Sequence, residues 1–209
     1  MAESAREYLP ERPTLPGLRE AAAGCRACHL WQGATQTVFG EGPKKARIML
    51  VGEMPGDRED REGHPFVGPA GRELDRALEA AEIERGDLYV TNVVKHFKFE
   101  ERGKRRIHQT PRKGEIDACS PWLDTEIKLV RPVGLVALGA TAAKALFGSQ
   151  FRLTRHRGEL IESELAPLAA ATIHPAAIVR QRDAEARERE REAFADDLRA
   201  VYAQVAQSS

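Results

Sequence analysis

Cysteine is scarce in this sequence: 209 residues contain only Cys25, Cys28 and Cys119. The opening residues 1–13 are polar and contain proline, so we expect no secretory signal and a cytoplasmic location. In that compartment, three cysteines argue against a disulfide framework and favour metal or redox chemistry.

The sequence also lacks a net charge and a long apolar run. Its 32 basic residues balance 32 acidic ones, so no global field attracts nucleic acid, and any DNA-binding surface must be local. The longest apolar stretch, 133–143, is too short to cross a bilayer and is followed by Lys144, so we expect no membrane partner. With 42% hydrophobic and 31% charged residues, the composition is that of an ordinary globular protein.

Short apolar runs of strand type alternate with helical patterns along the chain. The patterns predict strands at 46–51, 88–94, 133–138 and 170–173, and helices at 15–23, 69–81, 111–130, 141–147 and 184–205. This alternation predicts a three-layer α/β/α fold with a four-stranded parallel sheet. We expect residues 1–14 to form a flexible arm and residues 15–209 to form one domain, with a monomer as the default state.

Polar side chains stand where three of the predicted strands end. Glu53 follows the first strand, Asn92 lies in the second and His174 follows the fourth. Ligands of parallel sheets bind beyond the carboxyl ends of the strands, so these side chains should meet at one rim. The glycines at 52 and 56 let the backbone around Glu53 turn sharply and approach a ligand closely.

The rim residues together can bind a planar heterocycle. The amide of Asn92 offers a donor and an acceptor, and the imidazole of His174 offers another donor. Phe66 could supply a stacking face, although ordinary core packing is its alternative role. Taken singly, His174 and Asn92 would be a core histidine and a strand-end hydrogen bonder, so the prediction rests on their combination.

The most basic part of the chain is 98–113, which carries seven lysines or arginines against Glu100 and Glu101. Within it, the segment Lys104-Arg105-Arg106-Ile107-His108 is predicted to be a loop. Its cations suit a phosphate backbone, and the imidazole of His108 can act as acid, base or nucleophile. A solvated loop without function is the alternative for a cationic run.

The cysteines form a Cys-x-x-Cys pair, Cys25 and Cys28, with a third cysteine at 119. With one histidine they would make a Cys₃His set, which is common in structural zinc sites. His29 is one candidate for that histidine, but its adjacency to Cys28 strains the geometry. From spacing alone, a zinc ion is slightly preferred over an iron–sulfur cluster.

Several of these motifs together resemble one enzyme family. The sequences Gly52-Glu53-x-Pro55-Gly56, Pro65-Phe66-Val67-Gly68-x-x-Gly71, Thr91-Asn92-Val93-Val94-Lys95 and His174-Pro175 are similar to motifs of the iron–sulfur uracil-DNA glycosylases, family 4. The segment 104–108 resembles the loop of the UdgX branch, whose members bond covalently to DNA after removing uracil. The resemblance extends from about residue 25 to the last predicted helix.

The resemblance implies roles for individual residues. Glu53, His108 and His174 would be catalytic, with His108 attacking C1′ of the sugar in place of water. Uracil-containing DNA, preferably single-stranded, would be the substrate. The substrate-binding residues would be Gly52, Met54, Gly56, Asp57, Phe66, Asn92 and His174, and the DNA-binding residues Lys104, Arg105, Arg106 and Arg180. Met54 departs from the glutamine or alanine expected after the glutamate, which affects the expected rate more than the reaction type.

The family also implies a [4Fe–4S] cluster held by Cys25, Cys28, Cys119 and His96, since His96 stands where family 4 has its remaining cysteine. Two other functions stay open from the sequence. One is a family 4 glycosylase that turns over with water. The other is a non-catalytic, metal-containing module that binds nucleic acid and would not need Glu53, Asn92 and His174 together.

Overall fold

The computed structural model describes residues 4–208. Its strands are β1 (Ile48–Gly52), β2 (Leu88–Asn92), β3 (Phe99–Arg102), β4 (Arg105–His108), β5 (Gly134–Leu138), β6 (Leu160–Ile161) and β7 (Leu168–Thr172). Its α-helices are α1 (Leu15–Ala23), α2 (Asp57–Glu62), α3 (Pro69–Ala80), α4 (Lys113–Val130), α5 (Ala140–Phe147), α6 (Leu153–His156), α7 (Ala176–Arg180) and α8 (Ala184–Gln207). Short 3₁₀ helices lie at Ala5–Tyr8, His29–Gln32 and Arg85–Asp87.

The central sheet has the order β2-β1-β5-β7-β6. Strands β2, β1, β5 and β7 are parallel, which confirms the predicted parallel sheet. The predicted number of strands is wrong, because β6 adds a fifth strand antiparallel to β7. A strand of two residues is too short to show a period in the sequence.

Alternate residues of each strand enter different cores, as expected for a sheet covered on both faces. Met49 and Val51 pack with side chains of α1, α4 and α5. Ile48 and Leu50 pack with side chains of α3, α7 and α8 on the other face. The three-layer α/β/α prediction is therefore confirmed.

The N-terminal residues differ from the flexible arm that the sequence predicts. Residues 1–3 lie outside the described part of the chain, but Ala5–Tyr8 forms a 3₁₀ helix capped by Ser4. Ala5 is fully buried in the core that includes Trp122 of α4. The described part of this segment is therefore packed against the domain.

The basic segment is also different from its prediction. Residues 104–108 were expected to be a loop, but β3 and β4 form an antiparallel hairpin that turns at Gly103, where φ is +62°. Phe99 pairs with His108 at the base of this hairpin. The pairing places His108 at a defined position instead of on a free loop.

None of the helices in residues 4–208 is both long and apolar enough to cross a membrane. The longest, α8, packs Phe194, Leu198 and Val201 against the sheet and exposes charged residues on its other side.

Candidate active site

A cavity of about 670 Å³ opens beyond the carboxyl ends of the parallel strands. Glu53, Asn92 and His174 line it together, as the strand-end argument predicts. His108 reaches the same cavity from the end of β4. Four polar side chains from distant parts of the sequence thus converge on one space.

Glu53 is the centre of this arrangement. Its Oε1 lies 3.2 Å from Nε2 of His108, and its Oε2 accepts a hydrogen bond from the hydroxyl of Thr141. Burial alone would raise the pKa of Glu53, but the contacts with His108, Thr141 and His174 outweigh it and lower that pKa. The carboxylate is therefore ionised at neutral pH and faces the cavity as an anion.

His108 combines this contact with access to solvent. Its side chain is 48% exposed, and its ring lies 6.2 Å from that of Phe97, centroid to centroid. The imidazole is thus held near a carboxylate without being enclosed. Such a ring can donate to, accept from or form a bond with a molecule in the cavity.

Arg106 holds the hairpin in place and does not extend toward solvent. Its guanidinium donates to Asp60 Oδ2 at 2.7 Å and to the carboxylate of Asp57 on α2, and it lies over the rings of Phe97 and Phe99. Its guanidinium is thus used within the protein, and DNA binding by Arg106 stays a prediction. Sequence alone could not reveal this, because the short helix α2 was not predicted.

Asn92 is paired with Gly52 across the sheet and is 3% exposed. Its side-chain Oδ1 is buried and has no hydrogen-bond partner within residues 4–208. A Cβ at Gly52 would lie 2.4 Å from this oxygen and 2.5 Å from the ring of Phe66. Only glycine at position 52 therefore lets the amide and the ring meet at the cavity.

Phe66 adopts a left-handed backbone with φ of +55°, which is uncommon for a bulky residue. Arg85 donates to the carbonyl of Pro65 at 2.9 Å and to that of Phe66 at 3.3 Å, which holds this conformation. The ring lies against that of His174, with centroids 5.8 Å apart and planes 29° apart. Phe66 therefore lines the cavity, and its role as a stacking face for a substrate stays a prediction.

His174 is half-buried beside Gly139, whose positive φ of +94° and missing Cβ allow the close approach. Burial lowers the pKa of His174 to about 4, against an opposing effect of Glu53. Its Nδ1 accepts the backbone N–H of Ala176 at 3.1 Å. In the neutral ring the proton must then be on Nε2, which becomes a hydrogen-bond donor.

The remaining predicted substrate residues take different positions. Met54 and Gly56 line the cavity, and Met54 is 5% exposed. Asp57 also lines it, but its carboxylate already accepts from Arg61 and Arg106. Asp57 therefore gives the cavity wall a negative charge, but its carboxylate oxygens are already bound by two arginines and are not free to contact a substrate.

Three of the predicted DNA-binding cations are exposed. Within residues 4–208, the side chains of Lys104, Arg105 and Arg180 form no ion pair or hydrogen bond with protein groups. Arg180 lines the cavity, and the other two lie at the turn end of the hairpin. These positions leave all three side chains available to phosphates.

The three cysteines are buried and unpaired, and they lie in one core with Trp122. Trp122 Nε1–H donates to Cys25 Sγ at 3.4 Å, and the backbone N–H of Lys95 donates to Cys119 Sγ at 3.3 Å. Burial raises the pKa of Cys28, and it raises that of Cys119 to about 12. Cys25 contributes to the raised pKa of Cys28, and Cys25 and Cys28 both contribute to that of Cys119, so the three sulfurs are close to one another.

The cysteine site is not assembled around a single ion. Within residues 4–208, no three His, Cys, Asp or Glu side chains are arranged to hold one metal ion. His96 is buried and follows Lys95, whose N–H donates to Cys119, and its Nε2 is bonded to the Thr37 hydroxyl at 3.0 Å. His29 is exposed, and its Nε2 lies 3.4 Å from Glu115.

Comparison with known sequences identifies the family. The profile of the Uracil DNA glycosylase superfamily matches residues 39–199, which is most of the chain and includes Glu53, Asn92, His108 and His174. The chain belongs to the uracil DNA glycosylase superfamily.

Curated members of this superfamily are similar over most of their length. The Type-4 uracil-DNA glycosylase of Sulfurisphaera tokodaii is 40% identical over 174 residues, covering 78% of this chain and 75% of that protein. That of Thermotoga maritima is 38% identical over 169 residues, covering 80% and 84%. The Type-5 uracil-DNA glycosylase of Pyrobaculum aerophilum is 28% identical over 169 residues, covering 72% and 71%.

Sequence reasoning missed two residues of the site, Thr141 and Glu59. Thr141 donates to Glu53, and its place just after the third predicted strand was the available signal. Glu59 is buried, and its carboxylate accepts the backbone N–H of Gly56 at 3.1 Å and of Gly68 at 2.8 Å. Glu59 thereby joins the loop that carries Glu53 to the loop that carries Phe66.

Proposed function

We propose that this protein excises uracil from DNA and that His108 then forms a covalent bond to C1′ of the abasic sugar. The observation that carries the proposal is the 3.2 Å contact between His108 and Glu53 in the cavity that also contains Asn92 and His174. This is the arrangement expected of the UdgX branch, which the segment 104–108 resembles.

Recognition of uracil would use the buried side of the cavity. Moving a base out of the DNA stack costs roughly a few kcal/mol of free energy, and contacts in the pocket must offset this cost. Phe66 offers a ring face, and the unpaired Oδ1 of Asn92 can accept the N3–H of uracil. Cytosine has no N–H at that position, so the same oxygen disfavours it.

Cleavage of the bond between C1′ and N1 moves its electron pair onto uracil. The Nε2–H of neutral His174 would donate to O2 as this negative charge develops, and a donor already in place is most effective there. The low pKa of His174 keeps the ring neutral at physiological pH. The sugar is left with oxocarbenium character, which the carboxylate of Glu53 stabilises.

Capture of the sugar would then consume His108. A nitrogen of its neutral ring gives its lone pair to C1′, and the ring loses the proton carried by the other nitrogen to Glu53 or solvent. That proton balances the one gained by the uracil anion, so DNA and protein become joined and free uracil is released. A ring held at the sugar has a large advantage over bulk water.

DNA would approach along the exposed cations. Arg180 lines the cavity, and Lys104 and Arg105 lie at the turn end of the hairpin. Within residues 4–208 their side chains form no ion pair or hydrogen bond with protein groups, so phosphates can bind them. We propose single-stranded uracil-containing DNA as the preferred substrate, the monomer as the active unit and the cytoplasm as its location.

A [4Fe–4S] cluster would be held by Cys25, Cys28, Cys119 and His96. Two N–H donors already point at the sulfurs, as is usual around clusters, and burial lowers the pKa of His96 to about 4, so its ring is neutral as ligation requires. Because Nε2 of His96 is bonded to Thr37, Nδ1 is the nitrogen left for iron. The cluster would supply structural cross-linking between the N-terminal segment and α4.

A glycosylase that turns over with water is the second candidate, because the relatives bear the name Type-4 uracil-DNA glycosylase. Incubation with single-stranded uracil-containing DNA, followed by denaturing electrophoresis, separates the two. A heat- and detergent-stable band shifted by the mass of the protein supports capture. Abundant free abasic DNA, many equivalents per protein, rejects capture and supports turnover.

The His108→Ala variant identifies the nucleophile in the same experiment. We expect it to lose the shifted band, and Glu53→Gln to lower uracil release. An adduct that persists in His108→Ala would mean that another residue attacks C1′. DNA binding without uracil release by the wild type would reject both glycosylase proposals.

A further inference from the structure

Lys95 is a charged residue in the core, with a side chain only 1% exposed. Its ammonium donates to the hydroxyl of Thr91 at 2.7 Å, to the backbone carbonyl of Asn92 at 2.7 Å and to the carboxylate of Glu126. All three of its donors are therefore used. One of them ends on the residue that faces the cavity.

Glu126 is fully buried on α4, and its Oε1 accepts from Tyr89 at 2.9 Å and from Thr91 at 3.0 Å. It lies two helical turns after Cys119, on the same side of α4. The backbone N–H of Lys95 donates to Cys119 Sγ. Lys95 is thus joined to α4 twice, through its backbone at Cys119 and through its side chain at Glu126.

Stability is a poor explanation for this ion pair. Removing two charges from water costs more than their attraction commonly returns, and an apolar pair of the same volume is often as stable. What the charged pair provides is a fixed geometry, since each donor of Lys95 has one acceptor. The fixed element is the end of β2, where Asn92 leaves the sheet.

We propose that Lys95, with Glu126, is a positioning residue that holds the uracil-reading amide of Asn92 in register with the cysteine-bearing helix α4. The inference rests on the proposed function, because it assigns Asn92 to uracil. Uracil affinity then depends on α4 and on Cys119, the one thiol that α4 carries. A displacement of α4 would reach Asn92 through the side chain of Lys95 and through Thr91, which also donates to Glu126.

The test uses Lys95→Met/Glu126→Gln, which removes both charges at nearly constant volume and keeps an oxygen for Tyr89 and Thr91. Free uracil is titrated into the purified protein by calorimetry, and bound metal is measured on the same sample. We expect metal content to be kept and uracil affinity to fall about tenfold to a hundredfold, the effect typical of a reacting group displaced by about 1 Å. If the double variant does not fold, the single variant Glu126→Gln takes its place in the test. Its expected loss of uracil affinity is smaller.

Two controls separate positioning from general destabilisation. Tyr89→Phe removes a hydrogen bond to the same carboxylate on the side away from Asn92, and Glu73→Gln breaks the ion pair with Arg191 between α3 and α8. Both should lower thermal stability and leave uracil affinity within about twofold, well below the tenfold that corresponds to 1.4 kcal/mol. Equal loss of affinity in the controls would overturn the proposal.

The coupling through the side chain is tested by a cycle of Lys95→Met and Glu126→Gln. If the pair acts as a unit, the double variant loses no more uracil affinity than the more affected single variant. Additive losses, or unchanged uracil affinity in the double variant, reject the inference. Wild-type protein that neither binds nor releases uracil rejects the proposed function itself, and the inference with it.

Discussion

The carboxylate of Asp60, which is fully buried, accepts a 2.7 Å hydrogen bond from Arg106 on the hairpin. The same guanidinium binds Asp57, so β4 is anchored to α2 two residues before His108. The reach of His108 toward Glu53 thus depends on an arginine that lies outside the chemistry.

Replacement of this anchor should separate capture from excision. We expect Arg106→Gln to slow adduct formation by about tenfold to a hundredfold, because a misplaced nucleophile loses its proximity advantage. Uracil release should fall much less. The ratio of adduct to released uracil, measured in one reaction, is independent of the fraction of folded protein.

Arg105→Gln is the matched control, since Arg105 is the exposed neighbour on the same strand. It should weaken DNA binding and its salt dependence without changing that ratio. A ratio unchanged in Arg106→Gln would show that the hairpin needs no anchor.

Gly52→Ala should damage uracil recognition directly. The new Cβ would lie 2.4 Å from Asn92 Oδ1 and 2.5 Å from Phe66, so both groups must move. We expect a loss of roughly a hundredfold in the rate of uracil release. Gly114→Ala, where a Cβ meets nothing within 4 Å, should keep the wild-type rate. Equal rates for both variants would contradict the role of Gly52.

Burial of neutral His174 predicts a loss of stability in acid. Its folded pKa is about 4, against 6.5 for the unfolded chain, so between these values the unfolded state binds the extra proton. Stability should therefore fall as the pH drops from 6.5 to 4, by roughly 1.4 kcal/mol per pH unit from this residue. Urea unfolding of the wild type and of His174→Gln at pH 6.5, 5.5 and 4.5 measures it, and the variant should show a shallower slope. If the free energy of unfolding falls equally steeply with pH in the wild type and in His174→Gln, a group other than His174 takes up the proton.

Metal analysis tests the cysteine site. We expect brown protein that contains iron and sulfide, and we expect Cys119→Ser to lose colour and stability because a ligand is removed. Ser120→Ala, which changes the next residue of α4, should keep both. Stoichiometric zinc without iron would favour the single-ion alternative.

The convergence of Glu53, Asn92 and His174 could be predicted because each stands at the end of a strand, and parallel strands bring their ends together. The hairpin could not be predicted in the same way, since its two strands are four residues long and five of their eight residues are Glu or Arg. Arg106 was assigned to DNA by its neighbours in sequence, but its partners Asp57 and Asp60 come from a helix of six residues that shows no clear period. The pairing of Lys95 with Glu126 was missed for the same reason, because long-range contacts of single side chains leave no repeating pattern.

The position of α8 has a practical consequence. Val205 near its end lies against Gly134 and accepts from Arg47, at the starts of β5 and β1. The helix therefore finishes at the edge of the sheet opposite the cavity. A fluorescent reporter joined there would therefore stand clear of a molecule that enters the cavity.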